Sequence, residues 1–294
     1  MDELVRGLLF DGQFRFLAAV STGTVEEARR RHDLWPTAAA ALGRSLTAAG
    51  LMAFDLKGEG SITLRFQGKG PLGMVVAQGR REEEAPTIDV RGYVGQNHVD
   101  LDLREGKLDV GRAVGSQGTL YVVRREGSTT FTGTAPLLSG EIAEDLAYYF
   151  QQSEQRSTAV ALGVLVEPSG RVSAAGGFII ETLPGAGEEA TAALEKGLLA
   201  LGSVTEKLRL GYGPVDLMRE VAGGEVEIGT SRSLRFHCPC NRERAAGAVK
   251  VLGLEDAESL LRERGDIEVT CRFCGARYTF AAEDLSWIFA EPED

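Results

Sequence analysis

The sequence predicts an α+β fold in which a large N-terminal domain is followed by a helical segment and a small cysteine-rich domain. Three observations support this prediction. Short β-type runs separated by glycine turns fill residues 61–182, helical patterns flank and interrupt them, and all four cysteines lie within residues 238–274. A chain of 294 residues with 43% hydrophobic residues is long enough for about two domains with their own cores.

The N-terminal α+β domain is predicted to span residues 1–184. Its first strand candidate is Phe14–Val20, and residues 24–27 have the capping-box spacing that begins a helix. An alanine-rich second helix is predicted to begin at Pro36. Further β-type runs follow between glycine turns, at residues 62–66, 92–94, 119–123, 129–132, 159–166 and 172–181.

The strongest helical pattern of this domain covers residues 139–153. Ser139 is placed to cap the helix, and Glu141, Glu144 and Asp145 suit the positive end of the helix dipole. An apolar stripe runs along the other side. The acidic residues therefore predict a solvated helix face and not a catalytic or metal-binding cluster.

Residues 68–73 read GKGPLG and match the dinucleotide-binding pattern G-x-G-x-x-G. That function needs a helix N-terminus for the pyrophosphate. Pro71 interrupts the pattern, and the β-branched pair Val75 and Val76 follows it in place of a helix. The motif predicts a turn between two strands.

Residues 185–230 are predicted to form a helical, conditionally folded linker. They contain nine glycines, four basic and eight acidic residues, and yet keep apolar runs with helical spacing around Leu194–Leu208 and Leu217–Val221. Such a segment has little core of its own and belongs to the low-stability part of a chain. We expect it to stay folded only while it is docked on the first domain and beside an intact C-terminal domain.

The C-terminal domain is predicted to span residues 231–294 and to bind one Zn²⁺ per chain. Its cysteines form two close pairs, Cys238 with Cys240 and Cys271 with Cys274. Four thiolates hold zinc tetrahedrally and leave no open coordination position, so the expected role is structural. His237 is a rival ligand, but with four thiolates at hand it is interpreted as a neighbour.

The surroundings of the cysteines also bear on their chemistry. Nearby cations lower the pKa of a thiol, and five arginines flank the pairs: Arg235, Arg242, Arg244, Arg272 and Arg277. If the metal leaves, the spacing allows a disulfide within each pair, although spacing alone does not prove it. Around the cysteines, the sequence predicts helices over 242–252 and 255–264, a hairpin of 267–270 with 277–280, and a final helix near 285–289.

Charge and terminal composition disfavour several classes of protein. The net charge of −11 and the pI near 5.0 disfavour binding to phosphate backbones. The N-terminus has no basic stretch typical of a signal peptide, and no apolar run is long enough for a membrane span. We therefore expect a cytoplasmic protein that binds neither nucleic acid nor membranes and whose thiols are kept reduced.

The sequence resembles the 33-kilodalton heat-shock protein family, the redox-regulated holdase chaperones of the bacterial cytosol. The resemblance covers essentially the whole chain, and the two cysteine pairs carry it most specifically together with the SGEIAED segment. The matching segments are residues 10–13 (FDGQ), 36–44 (PTAAAALGR), 70–73 (GPLG), 91–94 (RGYV), 107–111 (KLDVG), 139–145 (SGEIAED) and 148–155 (YYFQQSEQ).

The resemblance implies a stress-response chaperone and not an enzyme. It implies that Cys238, Cys240, Cys271 and Cys274 bind zinc when reduced, and that oxidation pairs Cys238 with Cys240 and Cys271 with Cys274. Zinc release and unfolding of the linker would then let the protein hold unfolded or aggregation-prone client proteins without ATP. Whether the oxidised form is a homodimer stays open at this point.

Two other function classes fit part of the sequence. A zinc-ribbon nucleic-acid-binding protein would explain the cysteines, but residues 231–294 hold nine basic and twelve acidic residues, and this count does not favour the basic surface that such a protein needs. A thiol-disulfide oxidoreductase would use one exposed C-x₂-C pair on a βαβ scaffold. Here the second pair is available to share a metal ion with the first.

Overall fold

The computed structural model describes residues 2–290 of the chain. Over these residues the chain forms two compact units, residues 2–237 and residues 238–290. Both units combine helices with a sheet, so the predicted α+β fold class is confirmed.

The first unit is organised around a ten-stranded sheet. In chain order its strands are β1 (Glu3–Leu9), β2 (Phe14–Val20), β3 (Gly60–Gly68), β4 (Val75–Arg81), β5 (Thr87–Val94), β6 (Gly118–Glu126), β7 (Thr129–Pro136), β8 (Thr158–Val166), β9 (Val172–Thr182) and β10 (Glu227–Phe236). Their order in the sheet is β7-β6-β3-β4-β5-β10-β1-β2-β9-β8. Every neighbouring pair is antiparallel except β10 with β5, which is parallel.

The helices of the first unit are α1 (Thr22–His32), α2 (Pro36–Phe54), α3 (Val110–Val114), α4 (Ile142–Ser153), α5 (Glu188–Leu201), α6 (Val204–Arg209) and α7 (Pro214–Ala222). Helix α2 begins at Pro36, as predicted, and lies buried against β4, β5, β8 and β9. Its small alanine side chains let the helix approach the sheet closely, because they add little bulk between the two backbones.

Strands β1 and β10 were not predicted from the sequence. They pair with each other near the middle of the sheet, and β10 also pairs with β5 over residues 233–236. Most residues of β10 are exposed, so this strand lacks the apolar alternation that marks a half-buried strand. Its place in the sheet depends on partners more than one hundred residues away.

The predicted capping box at residues 24–27 is wrong. Helix α1 begins at Thr22, and the Asp2 carboxylate accepts hydrogen bonds from the backbone N–H groups of Gly23, at 3.0 Å, and Thr24. The helix is therefore capped by a side chain from the start of the chain, which local spacing does not reveal.

The prediction of a solvated acidic face on the helix at residues 139–153 is wrong for Asp145. Helix α4 begins at Ile142, and Asp145 is fully buried. Its Oδ1 accepts hydrogen bonds from the backbone N–H groups of Leu138, at 2.7 Å, and Ser139, at 3.1 Å. Burial raises the pKa of Asp145, and these backbone donors oppose that shift. The carboxylate thus ties the loop before α4 to the helix.

The G-x-G-x-x-G segment forms the predicted turn between β3 and β4, and its glycines have a packing role. The N–H of Gly70 donates to the carbonyl of Val114 at 2.8 Å. A Cβ atom on Gly70 would lie 2.3 Å from the carbonyl oxygen of Ala113. The glycines therefore allow the turn to pack backbone to backbone against the end of α3.

Helices α5, α6 and α7 of the predicted linker pack on the sheet, with α6 against β8 and β9, α7 against β1 and β2, and α5 against α7. Leu194 and Leu201 of α5 and Leu217, Met218 and Val221 of α7 are buried in one cluster with side chains of β1, β2 and β9. The apolar runs that were predicted to dock this segment therefore contact the sheet of the first unit. The division into residues 1–184, 185–230 and 231–294 concerns conditional folding and stays a prediction.

The second unit contains helices α8 (Arg242–Leu252) and α9 (Leu254–Arg264), the hairpin of β11 (Ile267–Thr270) and β12 (Arg277–Phe280), a 3₁₀ turn (Ala282–Asp284) and helix α10 (Leu285–Ile288). Its core is small. Within residues 238–290, the buried side chains that form this core are Ala245, Ala246, Val249, Ala257, Ile267, Phe280, Leu285 and Ile288. Among the helices of residues 2–290, none combines the length and the hydropathy that a membrane crossing requires.

Candidate metal centre

The four cysteines come together in the second unit. Every pair of their Sγ atoms lies within 4.8 Å. The distance is 3.8 Å between Cys238 and Cys271 and 3.2 Å between Cys240 and Cys274. A tetrahedron with zinc–sulfur distances of about 2.3 Å has edges of about 3.8 Å. The four cysteines are thus positioned to bind a metal ion.

The first cysteine pair lies directly before α8, and residues at the start of that helix order it. Asn241 caps this helix, because its side chain accepts a hydrogen bond from the N–H of Arg244 at 2.9 Å. The Arg244 guanidinium in turn donates to the carbonyl of Pro239 at 3.0 Å. The residues between and after Cys238 and Cys240 are therefore ordered by local hydrogen bonds.

The second cysteine pair lies in the turn that joins β11 to β12. The N–H of Cys271 donates to the carbonyl of Ala276 at 2.8 Å, and the N–H of Gly275 donates back to the carbonyl of Cys271 at 2.8 Å. Gly275 has a φ of 71°, which only glycine adopts without strain. Backbone N–H groups of Phe273 and Ala276 point at the sulfurs of Cys271 and Cys274.

The sulfur environments differ between the two pairs. Burial raises the pKa of the Cys240 thiol, but hydrogen bonds from Tyr278 and the neighbouring thiols outweigh it and lower this pKa to about 7. Burial also raises the pKa of Cys271 and Cys274, and there it outweighs the backbone donors. The Cys240 thiol therefore ionises more readily than the thiols of Cys271 and Cys274 when no metal ion is bound.

Three of the five flanking arginines have carboxylate partners: Arg235 with Asp89 at 2.6 Å, Arg242 with Asp284 at 2.8 Å and Arg277 with Glu268 at 3.7 Å. The groups that lower the pKa of Cys240 are a phenol and other thiols. The sequence pattern located the basic residues correctly but could not show their partners.

The rival ligand His237 lies in the first unit, where its backbone N–H donates to the carbonyl of Val90 at 2.9 Å. Its side chain is exposed. Within residues 2–290, the group of side chains placed to hold a metal ion consists of the four cysteines and does not include His237.

Tyr278 is a residue of this site that the sequence analysis missed. Its hydroxyl donates to Cys240 Sγ at 3.1 Å, and this hydrogen bond raises the pKa of Tyr278 to about 12. An aromatic residue four positions after the last cysteine was the available signal, but only the fold shows that it reaches the other pair.

Comparison with known proteins gives a consistent result. Residues 2–281 match the family described as Hsp33 protein. The chain is 43% identical over 287 residues to the 33 kDa chaperonin of Bacillus licheniformis, covering 97% of this chain and 98% of that protein. It is 42% identical over 290 residues to the 33 kDa chaperonin of Bacillus subtilis, covering 98% of each.

Among solved structures, the crystal structure of the 33 kDa chaperonin from Thermotoga maritima superimposes with a TM-score of 0.88 at 39% identity, covering 97% of both chains. These relatives share the name of a chaperone and not that of an enzyme. This shared name supports a chaperone function. The match over nearly the whole sequence and the shared fold lead to one conclusion: the chain belongs to the Hsp33 family.

Proposed function

We propose that this protein is a redox-regulated, ATP-independent holdase of the cytoplasm that binds unfolding client proteins under oxidative stress. Oxidation of its four cysteines and release of zinc would activate it. The observation that carries this proposal is the gathering of four thiols within 4.8 Å in a unit with a small apolar core. The chaperone function of the family supports it.

The four cysteines fit Zn²⁺ as the metal. Thiolates are soft donors, and a set of four with no carboxylate favours zinc over hard cations such as Mg²⁺ or Ca²⁺. Cys238, Cys240, Cys271 and Cys274 would hold it. Zinc, when bound, supplies a structural cross-link between the start of α8 and the β11–β12 turn.

Oxidation would remove these donors in pairs. A thiolate attacks peroxide, so that an S–O bond forms, the O–O bond breaks, and a sulfenic acid and hydroxide result. A second thiolate then attacks that sulfur, forms the disulfide and releases hydroxide. Two sulfurs lose two electrons in total, and the peroxide ends as two waters after protonation. We propose that the pairs are Cys238 with Cys240 and Cys271 with Cys274.

Loss of the thiolates would also destabilise the linker. The chain runs from α7 through β10 directly into Cys238, so a disordered second unit leaves β10 without a fixed continuation. We propose that α5 to α7 then leave the sheet. Their apolar side chains and those beneath them would become available to clients, for which exposed hydrophobic surface matters more than exact shape.

Disulfide mapping after peroxide treatment tests the redox part of the proposal. The Cys240 and Cys274 sulfurs lie 3.2 Å apart, so proximity also permits disulfides between the pairs. We expect mass spectrometry of proteolytic fragments to find disulfides within each pair, together with the release of one zinc ion per chain. Thiols that remain reduced while client binding rises would contradict the proposal, and sedimentation of the same samples shows whether the oxidised form is a homodimer.

A further inference from the structure

The Tyr278 hydroxyl connects two parts of the metal centre that are distant in sequence. Tyr278 is the second residue of β12, four positions after Cys274, and yet its hydroxyl donates to the sulfur of Cys240 at 3.1 Å. Its ring packs against the core of the second unit. The side chain therefore links the hairpin to the C-x-C segment.

The hydrogen bond to Cys240 has a different kind of donor from the hydrogen bonds to the two hairpin sulfurs. Cys271 and Cys274 accept from backbone N–H groups of their own turn, Phe273 and Ala276. Those donors stay beside their sulfurs as long as the turn exists. The donor to Cys240 comes from another element, so it is lost whenever the C-x-C segment and β12 separate.

A hydrogen bond to a ligand sulfur has two effects. It orients the ligand, and removal of such an outer partner typically weakens metal binding about 10–100-fold. It also draws electron density from the sulfur, which lowers the nucleophilicity of the sulfur toward an oxidant. Both effects oppose the attack of Cys240 on peroxide, in which the S–O bond forms, the O–O bond breaks, and hydroxide leaves.

We propose that Tyr278 is a positioning residue that holds Cys240 in the ligand set and sets how readily the centre responds to peroxide. This inference rests on the proposed function, because it requires a reduced, zinc-loaded centre. It adds a determinant of the response that lies outside the four cysteines.

The test compares full-length Tyr278→Phe with Thr279→Val, a neighbouring exposed position on β12. The variants are loaded with zinc, treated with hydrogen peroxide, and zinc release is followed with a chromophoric chelator. We expect Tyr278→Phe to release zinc about 10-fold faster and to bind it about 10-fold more weakly, while Thr279→Val behaves as wild type. In Co²⁺-substituted protein, the thiolate charge-transfer band should shift only in Tyr278→Phe, which a general loss of stability would not cause.

A second variant keeps the test decisive if Tyr278→Phe folds poorly. Site-specific 3-fluorotyrosine at position 278 keeps the ring and makes the hydroxyl a stronger donor, so release should become slower than in wild type. Wild-type release rates and an unshifted band in both variants would overturn the inference while leaving the proposed function intact. A wild-type protein that keeps its zinc in peroxide would overturn the proposed function, and this inference with it.

Discussion

Cys271→Ser is expected to lose most of its zinc and, with it, the fold of residues 238–290. A three-thiolate site loses charge and geometry. In the described part of the second unit, the apolar core consists of eight buried side chains, several of them alanines, whereas zinc binding contributes about 10–16 kcal/mol in comparable small domains. Metal analysis and hydrogen exchange of the variant measure the two losses, and the ten-stranded sheet should remain protected.

Thr270→Ser is the matched control for this variant, because it places a serine at the exposed neighbouring position. It should keep one zinc ion per chain and a protected second unit. Full zinc retention in Cys271→Ser would mean that another group, such as His237, serves as a ligand. A protected second unit without zinc would show that its apolar core suffices for folding.

Leu217→Ala is expected to release the linker helices without any oxidant. Leu217 of α7 is fully buried in the cluster that contains Phe14, Phe16 and Phe178 of the sheet. Truncation of a buried leucine costs about 2–5 kcal/mol, and a segment as marginally stable as the one we propose would unfold on that loss. Hydrogen exchange in reduced, zinc-loaded protein should therefore rise across residues 188–222 while α4 stays protected.

The control is Leu199→Ala on α5, whose side chain is 85% exposed, so that its truncation removes little buried surface. Reduced Leu217→Ala should also bind clients in part, whereas reduced Leu199→Ala should not. If exchange rises equally over the linker and α4, the three helices unfold with the whole first unit. The idea of a conditionally folded linker would then be wrong.

Local patterns in the sequence were sufficient to predict the elements whose structure depends on residues nearby in the chain. The alanine-rich helix from Pro36, the helix over Arg242–Leu252 and the hairpin around the second cysteine pair are all present. The four cysteines are brought together as their spacing indicated. A set of four metal ligands is visible in a sequence because the residue types are rare and the chemistry needs them together.

What the sequence did not show depends on contacts between distant residues. Strand β10 takes its place from β1 and β5, and the cap of α1 comes from Asp2. The burial of Asp145 follows from the loop that folds over it. The contact of Tyr278 with Cys240 spans 38 positions. No window of local sequence holds both partners of such contacts.

Light scattering of a heat-aggregating client protein tests the central claim most directly. The same preparation is compared after reduction in the presence of zinc and after treatment with peroxide, without ATP in either case. We expect the oxidised protein to suppress aggregation at about equimolar ratio and the reduced protein to leave the aggregation curve unchanged, because the apolar residues of α5 to α7 stay packed on the sheet. Equal suppression by both forms would contradict the redox switch, even if the four cysteines were shown to bind zinc.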